Sequence, residues 1–82
     1  MLTEIAIKYE IGGAIIEMRK GYICAHKVGC GKVELNRIND DRFEYALIPE
    51  EDVNPKGIKK AMWCVDYNMT DLINGTYVVL NS

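Results

Sequence analysis

"DVNPKGIKKAMWCVDYNMTDLINGTYVVL", residues 52–80, decides the fold class, because the spacing of apolar residues changes period here. Asn54 is a suitable N-cap, and Pro55 fits the first helical position, where its missing N–H costs nothing. Ile58, Ala61, Met62, Val65, Met69, Leu72 and Ile73 then recur at steps of three and four, one apolar stripe of an amphipathic helix. The spacing predicts a helix over about 55–73. Asn74 and Gly75 suit its C-terminal cap, and "TYVVL" after them is rich in β-branched and aromatic residues, so a last strand is expected.

Upstream of this stretch the period is two. Ile5, Ile7, Tyr9 and Ile11 share one side of a strand, and Gly12 and Gly13 suit a tight hairpin that returns through Ala14, Ile16 and Met18. Gly21 marks a bulge in one long strand or a turn between two short ones. "GCG" at 29–31 reads as the next turn, "KVELNRI" as a strand, "NDD" at 39–41 as a turn, and "RFEYALI" as a strand with Phe43, Tyr45 and Leu47 in phase. The expected class is α+β: an antiparallel β-meander of four or five strands, one helix, then a final strand that rejoins the sheet. A curled open sheet and a small Src-homology-3-like barrel, each packed on the helix, satisfy this order equally.

Eighty-two residues make a single domain over 1–82, and 49% hydrophobic with 27% charged residues is the composition of a globular chain, not a disordered one. No apolar run reaches the roughly 18 residues needed to span a bilayer, and "MLTEIAIKYEIGG" lacks the basic and apolar regions of a leader, so a cytoplasmic protein with no membrane contact is expected. Three cysteines in a reducing compartment point to free thiols. By the same token the sequons "NMT" and "NGT" are read as chance.

Charge is segregated along the chain. Residues 19–33 carry Arg19, Lys20, Lys27 and Lys32 and no acid, whereas residues 40–52 carry Asp40, Asp41, Glu44, Glu50, Glu51 and Asp52 against Arg42 alone. The acidic stretch suits a basic partner surface, including one that normally takes nucleic acid. The paired acids lie in turns, where they serve as solvated turn residues rather than as general acids or bases. Cys24, His26, Cys30 and Cys64 supply the number of ligands a tetrahedral zinc site needs, but no Cys-x-x-Cys knuckle is present, so zinc is only an alternative and no cofactor is expected. "GCGK" lacks the spaced glycines and the Ser or Thr of a phosphate-binding loop.

On a helix over 55–73, Trp63 and Tyr67 fall opposite the apolar stripe with Lys56 and Lys60 beside them, the composition of an interface anchor. The expected function is a small non-catalytic protein-interaction module, not an enzyme, a regulator or inhibitor of the kind that mobile genetic elements such as phages encode. It would bind a protein partner through this aromatic and lysine face and the acidic hairpin. A nucleic-acid-binding β-barrel using Lys20, Lys27 and Lys32 is the alternative, less favoured because the net charge is −2. A homodimer is compatible with either.

Overall fold

The computed structural model describes residues 7–53, 61–65 and 75–80. Along these the chain forms β1 (Lys8–Tyr9), α1 (Ile11–Arg19), β2 (Ile23–Gly29), β3 (Lys32–Asn39), β4 (Arg42–Pro49), a 3-10 turn (Glu50–Asp52), β5 (Cys64–Val65) and β6 (Tyr77–Leu80). The six strands make one antiparallel sheet in the order β1-β6-β2-β3-β4-β5. The α+β meander class is therefore as expected. Among the described residues the sheet ends at β1 on one side and β5 on the other without closing, so the Src-homology-3-like barrel is corrected to an open sheet.

The helix lies elsewhere than expected. Residues 11–19, read as a hairpin and a returning strand, are helical, while Cys64 and Val65, inside the expected helix of 55–73, form an edge strand on β4. Both errors have one cause, the ambiguity of short apolar patterns. Ala14, Ile16 and Met18 alternate, but Ala14 and Met18 also stand four apart, and these two are the helix residues that become fully buried. Conversely Ala61, on the expected helical stripe, and Trp63, opposite it, stand two apart, and both pack on the same apolar cluster. The remainder of the expected helix, 55–60 and 66–73, lies outside the described residues, as do its expected caps Asn54 and Asn74 and also Ile5.

The helix is stopped by a glycine-capped motif. The Gly21 N–H donates to the Met18 carbonyl at 3.0 Å and the Tyr22 N–H to the Glu17 carbonyl at 3.2 Å, with Gly21 at φ 101°. These are the two reversed bonds of a Schellman cap, which needs a left-handed residue at that place. Gly13 permits the close seating of α1 on β1: a Cβ there would lie 2.9 Å from Tyr9 Cδ1.

Apolar clusters occupy both faces of the sheet. On one, Ala14 and Met18 of α1 bury Cys24 and Tyr77, with Tyr9, Ile38, Phe43 and Val79 packed around them. On the other, Ala25, Val33, Leu35, Ala46, Val53 and Leu80 form a cluster against which Ala61 and Trp63 pack. Two covered faces explain why β2 and β3 hold consecutive buried residues, Cys24 to His26 and Val33 to Asn36, where a half-buried strand would alternate.

Candidate interaction surface

The Asp40–Asp41 turn, with φ 50° and 64°, joins β3 to β4 with the two left-handed residues of a type I′ hairpin. That turn fixes the register, and Arg37 stands directly opposite Glu44, which in turn stands opposite Val65 on the edge strand. Arg37 Nε donates to Glu44 Oε2 at 2.6 Å, and its guanidinium carbon lies 4.0 Å from the centroid of the Trp63 ring. Glu44 also accepts from Asn39 Nδ2 at 3.5 Å through its other oxygen. The indole is thus clamped between the apolar cluster and a cation held by a fixed carboxylate. Around it the edge is open: Met62 is 82% exposed and Val65 54%. Aromatic, Met and Arg side chains are the types enriched where proteins meet.

Trp63 was expected on the outer face of a helix; it is half-buried in extended chain just before β5 instead. Its expected neighbours Lys56, Lys60 and Tyr67 lie outside the described residues. Arg37 and Glu44 take the place beside it. Sequence reading missed the Arg37 contact, yet the signal is present, because a two-residue turn at Asp40–Asp41 by itself places Arg37 against Glu44.

The acidic residues do not form one patch. Asp40 and Asp41 sit at one end of β4, and Glu50, Glu51 and Asp52 at the other, on the order of 25 Å apart at a strand's rise per residue. Two of the six are engaged internally, Glu44 with Arg37 and Glu50 with Lys27 Nζ at 2.9 Å. The basic run is similarly dispersed: Lys20 pairs with Glu17 at 3.0 Å, which also raises its pKa, Lys27 pairs with Glu50, and Lys32 is exposed.

The four candidate metal ligands do not converge. Cys24, Asn36, Tyr45 and Cys64 occupy one row across four strands, so the two thiols are three strand spacings apart, about 14 Å. A zinc ion reaches each sulfur at about 2.3 Å. Cys30 is in the exposed β2–β3 turn, and among the described residues no group of three or more His, Cys, Asp and Glu could hold a metal. The zinc alternative built on Cys24, His26, Cys30 and Cys64 is thereby corrected. Cys24 is buried with its Sγ 3.6 Å from the Ala14 carbonyl, and burial, aided by the charge of Glu17, pushes its thiol up to about 11.

His26 belongs to a polar row buried on the helix side of the sheet. It faces Glu34 across β2 and β3, Asn36 Nδ2 lies within hydrogen-bonding distance of its Nδ1 at 3.2 Å, and its ring meets that of Tyr77 at 4.5 Å. Gly75 closes against the ring edge, where a Cβ would come within 2.8 Å of His26 Cδ2. Enclosed on these sides, the imidazole is a packing element.

In comparisons with known proteins the chain matches no family model, no curated protein and no solved structure. None of the described helices is long and apolar enough to cross a membrane.

Proposed function

We propose that this chain is a small, non-catalytic protein-interaction module, of the regulator or inhibitor class, that binds a protein partner through the edge strand β5 and the Trp63 surface beside it. The observation that carries the reading is the ordered Trp63–Arg37–Glu44 stack flanked by the exposed Met62 and Val65. A clamped aromatic gives contact area without the entropy cost of ordering a free side chain, which is what an interface anchor requires. The two separated acidic ends, Asp40 with Asp41 and Glu50 to Asp52, serve in this reading as rim charges that speed approach to a basic region of the partner.

The test uses the exposed flanks, because Trp63 itself supports the apolar cluster. Met62→Asp and Val65→Asp leave the described packing in place and put a carboxylate on the contact surface. Proteins captured from the native host by the wild-type chain should be lost with either variant while thermal unfolding stays within a few degrees. A partner set that ignores both substitutions refutes the surface, and the compartment in which a genuine partner resides establishes where the chain works.

A further inference from the structure

We infer that the Arg37–Trp63 stack is a carboxylate-recognition site, and that the partner segment it takes carries an Asp or Glu side chain next to an apolar one; this rests on the interaction surface proposed above. The Arg37 side chain is 33% exposed, and its Nε is committed to Glu44. Among the described residues no hydrogen bond engages its Nη1 or Nη2, so the outer half of the guanidinium fork retains its donors. Indole packing at 4.0 Å and the 2.6 Å bond to Glu44 hold this fork before any ligand arrives. A preordered planar fork is the geometry that takes a carboxylate through two parallel bonds. Val65, opposite Glu44 on the edge strand and exposed, supplies the apolar contact for the neighbouring side chain.

Charge selects the kind of anion. Glu44 already balances Arg37, so the pair is near neutral, and no second cation of the described residues is paired to this site. A near-neutral site with one open fork suits a single carboxylate on an otherwise apolar segment. A polyanion gains its affinity from many cations acting together.

The experiment is selection of a random peptide library, displayed on phage, on the folded full chain, followed by titration of enriched synthetic peptides read by fluorescence of the single tryptophan. Peptides with an Asp or Glu beside an apolar residue should be enriched, shift the Trp63 emission, and weaken at least tenfold when that acid becomes its amide. Arg37→Gln should abolish the preference. Arg37→Lys, which keeps the charge and the Glu44 partner, should weaken binding at least fivefold, so the test survives if the Gln variant does not fold. Enriched peptides that lack an acid and ignore both Arg37 variants, yet are lost with Val65→Asp, overturn the carboxylate site and leave the interaction surface standing. Peptides indifferent to every one of these substitutions, or no enrichment at all, overturn both. Tighter, Arg37-dependent binding of a single-stranded oligonucleotide than of any peptide overturns the choice of partner.

Discussion

The two faces of the sheet are built from different materials. On the face away from the helix, the fully buried positions among the described residues are all apolar, from Ala25 through Leu35 to Leu80. On the helix face a polar row, His26, Glu34 and Asn36, is buried among Cys24, Met18 and Tyr77. An apolar cluster is held by area and volume, which tolerate small displacements. A buried polar row is held by direction, because each group has been taken out of water and must keep its hydrogen bonds. The first face should therefore respond to lost volume, and the second to lost geometry.

The largest effect expected from this contrast is at adjacent positions of β3 that point to opposite faces. Leu35→Ala opens a cavity in the apolar cluster and should cost about 2–5 kcal/mol of stability. Asn36→Leu keeps the number and branching of the side-chain heavy atoms but removes the bond to His26 Nδ1, and should cost about 1–3 kcal/mol. Urea unfolding of the two variants measures both. If Asn36→Leu proves as stable as wild type while Leu35→Ala behaves as stated, the polar row does not depend on its hydrogen bonds and the distinction between faces collapses.

How tightly α1 sits on its face is tested next by its two adjacent glycines. Gly13→Ala places a methyl group 2.9 Å from Tyr9 Cδ1, near the root of that side chain, and should destabilise by about 1–3 kcal/mol. Gly12→Ala meets nothing within 4 Å and should stabilise the helix by about 0.5–1 kcal/mol. In a hairpin turn the two would not split in this way. Equal shifts in melting temperature would argue against the helix at 11–19.

The helix face also holds a titratable thiol. Cys24 is protonated in the folded chain up to about pH 11, against an ordinary value of 9.0. Between those values the unfolded chain has lost the proton that the folded chain keeps, so stability falls as pH rises through this window. Cys24→Ala should flatten that fall. At neutral pH a thiol reagent should modify the exposed Cys30 and Cys64 and leave Cys24 until the chain is unfolded. Rapid modification of all three thiols in the native protein would show that α1 does not seal this face.

How much of this is legible in the sequence depends on how many residues voted for one period. "KVELNRI" and "RFEYALI" are long enough, and bounded clearly enough by "GCG" and "NDD", that β3, β4 and their hairpin follow directly, as does β6 from "TYVVL". The helix at 11–19 was hidden because Gly12 and Gly13 suit a hairpin and three alternating residues suit a strand. Its readable mark is at the far end, in "RKGY", basic residues followed by the glycine of a Schellman cap. The exposure of Trp63 expected from the sequence depends on a helix that residues 61–65 do not form. The polar row was not legible: His26 and Asn36 meet only through the pairing of β2 with β3, ten positions apart, and a sheet covered on both faces erases the alternation that would mark one side as inward.

The smallest effect concerns the turn that assigns residues to the two faces. A shift of one position in the β3–β4 pairing would send Leu35 to the polar side and Asn36 to the apolar one, so the contrast between faces depends on the type I′ turn at Asp40–Asp41. Two consecutive aspartates at φ 50° and 64° are serviceable there, but Asn-Gly is the pair such a turn prefers. Replacing both, Asp40→Asn with Asp41→Gly, removes the Cβ clash of the left-handed region at the second position, and also gives the unfolded chain more freedom, so the net gain should be no more than about 1 kcal/mol. A rise of a few degrees in melting temperature, with the Arg37–Glu44 contact kept, would mean that the acids are retained at the tip for their charge rather than for the turn. A fall in stability instead would mean that the aspartates themselves hold the turn, and with it the register that assigns each residue to its face.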